Sequence, residues 1–443
     1  MQRSWLATAG AAVLIVLRFV PSADAQQPLR LTLKDAIQLG LKANFSVLSS
    51  ATRFREAGGT SERRFSDLLP KSYIETSWTL EKINLAALGI DIPFLKPGVG
   101  PFAAYDFRVY VNQPVLDLQA YHSWKSSQPH EQAARDDYQD SRDLVIRTVA
   151  SLYLNAESAA ALVDSARSRV TLSEALLKLA NDQHESGVAT GLDLLRAKVQ
   201  LADDQQALLV AKNAAQQTLL VLSRNIGLDV GTALELAETL NYQPIEPPAL
   251  SEAVSAALAN RPDYLSLLRQ RDEQMELRKA SRARSLPQIS LSANYGANGR
   301  SLSGITTVGA LEGVLKFTLF DRDREGEIQE IDNRLERLQN QLTDLTLQIE
   351  EDVREALLNL DSANNEVRVA QDGLTLAQQE LDLARVLFQA GSTNNIEVTT
   401  AQDSLSRAQQ NLVTALTRHV DAKIALARAL GGTEKNYDRF LEH

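Results

Sequence analysis

Cysteine is absent from all 443 residues. That excludes disulfides, cysteine-ligated metal centres and an N-terminal lipid anchor on a thiol. Aromatic residues make up only 5% and histidines number five, which disfavours an aromatic-rich β-sandwich and a histidine metal site. A net charge of −10 argues against nucleic acid as a partner. No HExxH, GxSxG or phosphate loop is present: His184-Glu185 runs on into Ser186, Gly187 and Val188. His122, His130, His184, His419 and His443 are scattered along the chain. Neither catalysis nor a cofactor is expected. Beyond the start of the chain, no stretch reaches the roughly 20 apolar residues of a spanning helix.

What the sequence does hold, it holds twice. Leu33, Ala36, Leu41 and Leu69-Pro70 recur 217 positions later as Leu250, Ala253, Leu258 and Leu286-Pro287. Asp117, Gly187, Ala197, Leu201 and Gly227 recur 204 positions later as Asp321, Gly391, Ala401, Leu405 and Gly431. One large unit has been duplicated, with a single length change between Pro70 and Asp117. Residues 1–25 read as an export signal: Arg3, an apolar run from Trp5 to Leu17, and Ala23-Asp24-Ala25 as the cleavage site. The expected organisation is a first repeat at 26–227, a linker at 228–249, a second repeat at 250–431 and a tail at 432–443. The linker and tail are expected outside the core, near the middle of the rods.

Each repeat opens with a short amphipathic helix and a second helix that Leu-Pro stops. Two strands follow, at about 72–81 and 105–113 in the first repeat and 288–297 and 309–319 in the second. Tyr105, Phe107, Val109 and Val111 alternate with Asp106, Arg108, Tyr110 and Asn112. Ile289, Leu291, Ala293 and Tyr295 alternate with polar residues in the same way. Period-two alternation gives one apolar and one polar face, and about 9–11 residues is also the length of a membrane-crossing strand. A soluble two-faced sheet has the same pattern. The loop from Lys82 to Ala104 is longer than its counterpart around Asn298 to Val308, and its apolar content lets it fold inward or extend the strands.

Asp117 and Asp321 then suit helix N-caps. The helical patterns that follow run to Glu185 and Gln389, roughly 100 Å each at ~1.5 Å per residue. Ile328, Ile331, Leu335, Leu338, Leu342, Leu345 and Ile349 step alternately by three and four. Val367, Ala370, Leu374, Ala377, Leu381, Ala384 and Phe388 do the same, as do Val398, Ala401, Leu405, Ala408, Leu412 and Ala415. These are coiled-coil seams. A last helix in each repeat ends at Gly227 or Gly431. The second and last helices together match the long one, so they are expected to form one composite rod beside it.

Four strands do not close a barrel, since small closed barrels need about eight. Open strand edges in lipid leave backbone groups without partners. An exported chain of this kind must recruit strands from further copies: three copies give twelve, four give sixteen. The residues alone do not choose between them.

At this point the chain resembles the TolC family of outer-membrane efflux channels, over essentially the whole mature sequence. The resemblance rests on Leu-Pro before each strand pair, on Gln113-Pro114-Val115-Leu116-Asp117 and Phe317-Thr318-Leu319-Phe320-Asp321 after it, and on Asn260-Arg261-Pro262-Asp263. Its sharpest element is the paired turn: Gly187, Asp193, Ala197 and Leu201 stand in register with Gly391, Glu397, Ala401 and Leu405. It implies a mainly α fold with a transmembrane β-barrel contribution, built from a duplicated helix, hairpin, long helix, helix unit. It implies a homotrimer with a 12-stranded β-barrel and a 12-helix coiled-coil tunnel in the periplasm of a Gram-negative-type bacterium. The implied role is the exit duct of a tripartite efflux or type I secretion system. An adaptor (membrane fusion protein) would grip the tip turns, Gly187, Val188, Ala189, Thr190, Gly191 and Gly391, Ser392, Thr393, Asn394. The pump would be of resistance-nodulation-division or ABC type. Similar channels carry two acids three residues apart after the second turn. Glu397 matches the first; Thr400 replaces the second, and Asp193 stands after the first turn. All three are assigned to the pore entrance, while Glu397 equally suits an N-cap or first-turn acid favoured by the helix dipole, and Asp193 suits that role better. The rival reading is a soluble periplasmic coiled-coil scaffold or adaptor.

Overall fold

The computed structural model describes residues 29–84, 87, 89, 98–187, 190–237, 242–390, 392–393 and 395–434. The expected export signal lies outside the described residues, as do Val188, Ala189, Gly391 and Asn394 and most of the tail.

In chain order the elements are β1 (Leu29–Leu31), α1 (Leu33–Ala43), α2 (Phe45–Ser66), β2 (Lys71–Asn84), β3 (Gly98–Leu116), α3 (Leu118–Glu185) and α4 (Gly191–Asn225). Then come β4 (Leu234–Leu236), α5 (Leu250–Asn260), α6 (Pro262–Ala283), β5 (Gln288–Gly299), β6 (Thr306–Lys316), α7 (Arg322–Gln389) and α8 (Asn395–Leu430). The helix, helix, hairpin, long helix, helix series occurs twice.

Local chemistry fixes the boundaries. The Asp117 carboxylate accepts the Ala120 amide at 2.9 Å, and that of Asp321 accepts the Arg324 amide at 3.2 Å, so both act as N-caps. The helices α3 and α7 are each 68 residues long. The seam residues of α7 and α8 are buried or half-buried, in a layer where α7 packs on both α6 and α8, and α8 also packs on α3.

The composite rods are built by two glycines. Gly227 (φ 75°) ends α4 against the start of α2, where Asn44 Nδ2 donates to the Asn225 carbonyl at 3.0 Å. Gly431 (φ 80°) ends α8 against Asn260 and Arg261 at the start of α6. Arg261 is buried there, and its guanidinium bonds Asp263 at 2.7 Å and Asp352 of α7 at 2.6 Å. That is the physical content of the Asn-Arg-Pro-Asp sequence.

Four rods therefore lie side by side in one layer: α2 with α4, then α3, then α6 with α8, then α7. The sheet above them has the order β2-β3-β5-β6, antiparallel throughout, so each strand stands over its own rod.

Four expectations are corrected. The hairpin strands β2 and β3 are longer than 72–81 and 105–113, because the loop's apolar residues extend the ladder as far as Asn84 opposite Gly98. The strand β6 runs from 306 to 316, not 309 to 319: Phe317 to Phe320 leave the ladder, and Leu319 is 97% exposed. The linker is not outside the core. The strand β4 pairs in parallel with β1, and Leu228 and Leu236 pack on the cluster of Ile37, Ile146, Val149 and Tyr153. Tyr153 reinforces it by donating its hydroxyl to the Leu31 carbonyl at 3.0 Å. Nor is the start of the tail free: Thr433 is fully buried, and its amide and that of Glu434 donate to the Asp143 carboxylate.

Candidate functional site

The two faces of the sheet differ in chemistry, and register decides which residues share a face. Ile74 pairs with Val109, which pairs with Tyr295; Thr76 pairs with Phe107; Ala293 pairs with Leu311; Ile289 pairs with Leu315. This face also carries Trp78 and Leu80, and most of it is open, with Ile74 at 77% and Leu311 at 73% exposure. The other face carries Glu75, Ser77, Asp106, Arg108, Asn112, Ser290, Ser292 and Asn294. Arg108 and Asp106 pair there at 2.5 Å, and the Ser292 hydroxyl donates to Asn112 Oδ1. An apolar face this large and open on a soluble protein would be an aggregation liability. A lipid-facing wall requires it.

Among the described residues the sheet ends in two unpaired edges, β2 and β6. The rod layer ends the same way. On α7, Leu347, Leu358, Val369, Leu376 and Leu383 are exposed, at steps of eleven and seven residues that keep them on one face. Leu347 and Leu358 each lie two positions from a residue buried in the α7 seam, Ile349 and Leu360, hence about 200° round the helix from it. On α4, Leu195, Val199, Val210, Leu220 and Val221 form a matching exposed stripe, opposite buried Ala197 and Leu222. The heights agree as well: Val210 lies 20 residues past Thr190, and Val369 lies 21 before Ala390.

The rod tips lie at the end away from the sheet. Gly187 takes φ 77° directly after α3, a conformation that Gly adopts without steric cost. Thr190 and Asp193 form a capping box: the Thr190 hydroxyl lies 2.6 Å from Asp193 Oδ2, and the Asp193 amide donates to Thr190 Oγ1 at 3.3 Å. The Thr190 hydroxyl, and then its amide, hold the Asp193 carboxyl below the usual range. Arg196 stands 3.7 Å from it. Asp193 is thus engaged in starting α4. Glu397 is exposed in the first turn of α8, and Thr400 is exposed one turn on, its hydroxyl donating to the Ile396 carbonyl at 2.9 Å. Gly191, Ser392 and Thr393 also lie in the tip turns. Among the described residues, no ion pair or hydrogen bond joins any two of Glu397, Thr400 and Asp193.

Two polar clusters were not legible in the sequence. Above the tips, buried Asp204 of α4 binds Arg169 of α3 at 2.6 Å and accepts from the Ser173 hydroxyl, while Arg169 reaches Asp403 of α8 at 3.6 Å. This cluster ties the two repeats' hairpins together. At the waist, fully buried His419 places Nε2 2.9 Å from the Gln243 carbonyl, which Lys423 Nζ approaches to 3.5 Å. The Tyr242 ring packs 4.9 Å from the imidazole. Burial lowers the His419 and Lys423 pKa values. Among the described residues no acidic or histidine cluster is arranged to hold a metal ion.

The chain is similar to known proteins at both levels. The outer membrane efflux protein family matches residues 100–228 and 253–432. The pyoverdine export outer membrane protein OpmQ of Pseudomonas aeruginosa is 25% identical over 270 residues, covering 60% of this chain and 57% of that protein. The match therefore spans less than two thirds of that relative. Among solved structures, the Campylobacter jejuni CmeC outer membrane channel superposes with a TM-score of 0.80 at 17% identity, over 93% of this chain and 89% of that one. The Vibrio cholerae outer membrane protein VceC gives 0.77 at 17% identity, over 90% and 96%. These likenesses establish the protomer fold. With both repeats matched over more than half of its length, the chain belongs to the outer membrane efflux protein family.

Proposed function

We propose that three copies of this chain close edge to edge into a passive exit duct, with a β-barrel in the outer membrane and a helical tunnel reaching into the periplasm. One observation carries this reading: sheet and rod layer share the same order and end in unpaired edges on the same two sides, each with exposed apolar residues. Pairing β6 of one copy with β2 of the next satisfies backbone groups that lipid would leave without partners. The α7 and α4 stripes then meet at matching heights. The apolar sheet face turns to lipid and the polar face lines the passage.

The tip turns are assigned to contact with a periplasmic adaptor that couples the duct to an inner-membrane pump. Glu397, beside Thr400, is assigned to the entrance, where a ring of three carboxylates favours cations. Asp193 is assigned to the same entrance while it caps α4. Cargo of the kind that OpmQ's name describes is one candidate. The leader expected at residues 1–25 serves export.

The test is reconstitution of the mature protein in planar bilayers. The reading requires discrete, long-lived conductance steps. A water-soluble protein that partitions away from membranes and opens no pore supports the periplasmic scaffold instead.

A further inference from the structure

We infer that Tyr73 and Tyr110 form a stacking site for flat aromatic solutes carrying hydroxyl donors, on the inner wall of the duct near the periplasmic end of the barrel. The inference deepens the duct reading and rests on it.

The two tyrosines are register partners on the polar face, between the Asn112 row and the row of Glu75 and Arg108. Their ring centroids are 5.1 Å apart and the planes are inclined by 12°. That separation matches the ~4.8 Å spacing of neighbouring strands. The rings therefore stand as consecutive rungs across the sheet rather than lying flat on it.

The row continues with short side chains. Asn294 pairs with Tyr110, and Ala310 pairs with Asn294. Next to Asn294 on the same face is Gly296, where an added Cβ would lie 2.0 Å from the Phe107 carbonyl oxygen, so no side chain fills that place. The row thus offers a tyrosine pair and then a step down over an amide and a methyl group. A third flat ring, stacked on Tyr110 above the shorter Asn294, would be the next rung. Asn294 Oδ1 is covered and, among the described residues, has no hydrogen-bond donor, so the row holds an unsatisfied acceptor that a solute hydroxyl reaches only when the amide turns outward.

The surroundings separate this pair from an ordinary cross-strand contact. Lipid-facing aromatics lie on the opposite face with Trp78 and Phe107. Tyr73 is 47% exposed among polar neighbours, so its ring gains little from burial where it stands. Offset stacking with hydroxyls turned to water and amide is the chemistry such a pair offers a solute. Three copies place three such sites at one level of the passage.

The probe is esculetin, a planar dihydroxylated aromatic, titrated by fluorescence anisotropy onto the detergent-solubilised full-length mature protein. Variants Tyr110→Leu, Tyr73→Leu and Tyr110→Phe are first shown to open channels in planar bilayers. Tyr110→Leu and Tyr73→Leu are expected to weaken binding about tenfold, and Tyr110→Phe to stay within about threefold of wild type. Cyclohexane-1,2-diol, which has the hydroxyls without the flat ring, should not compete. The inference is overturned if channel-forming Tyr110→Leu binds esculetin as tightly as wild type, or if the saturated diol displaces it equally well. Failure of the wild-type protein to open any channel overturns the duct reading, and this site with it.

Discussion

A Cβ placed on Gly227 would lie 2.3 Å from the Cβ of Ala43. The end of α4 meets the junction of α1 and α2 there with no space for a methyl group, and Gly227 also holds a left-handed backbone. Gly431 repeats the arrangement against the Arg261 amide nitrogen at 2.6 Å. Gly227→Ala and Gly431→Ala should each destabilise the fold by about 2–4 kcal/mol, from backbone strain and overpacking together. Denaturant unfolding in detergent measures it. Gly373, on an open face of α7, is the control: among the described residues no atom lies within 4 Å of its added Cβ beyond its own helix backbone, and Gly373→Ala should be neutral or stabilising.

The absence of cysteine makes the proposed contact between copies directly testable. Val210 and Val369 lie on opposite edges of the rod layer, separated by two intervening rods. At 8–10 Å per rod step, they are too far apart within one chain for a disulfide. Val210→Cys combined with Val369→Cys should therefore oxidise to covalent dimers and trimers on denaturing gels, and neither single variant should. A double variant that stays monomeric after oxidation would remove this contact from the proposal.

The waist cluster gives a pH dependence with a definite sign. Burial holds His419 below the ordinary imidazole value, so the folded state prefers the neutral ring. Folding stability from this group is fully present above the unfolded value of about 6.5. It declines as pH falls below that value, until the depressed folded value is reached. Buried Lys423, also shifted down, adds no compensating negative charge. Thermal stability should drop between pH 7.5 and pH 5, and His419→Gln, which keeps a donor for the Gln243 carbonyl, should flatten the drop. An equal drop in that variant would assign the effect to other groups.

Much of this architecture was legible because it rests on periodicity. The Leu-Pro stops, the aspartate caps and the three-four spacing each act within a few residues, so Asp117, Asp321 and the α7 and α8 seams could be read from neighbours alone. What escaped depends on contacts between distant segments. Leu29–Leu31 and Leu234–Leu236 are too short to alternate visibly, and only their pairing makes them strands. Asp204 and Arg169 look like surface charges until α3 and α4 bury them together. His419 stands in an ordinary polar-apolar helix pattern, and only the returning linker gives it a partner. The strand ends moved because ladders extend wherever the opposite strand supplies partners, as Gly98 does for Asn84.

The entrance assignment is tested by ion selectivity. Glu397→Gln should lower the cation preference of the open channel, and Thr400→Glu should raise it by supplying the second acid that similar channels carry. Reversal potentials in a salt gradient report both. Unchanged selectivity in Glu397→Gln would leave Glu397 as a first-turn helix acid and nothing more.

Closure by identical copies is the claim on which the rest depends, and native mass spectrometry of the mature protein released from outer membranes in detergent addresses it most directly. The account predicts a single species of three times the protomer mass that persists until the detergent or heat unfolds it. A protein recovered without detergent as a monomer would contradict it.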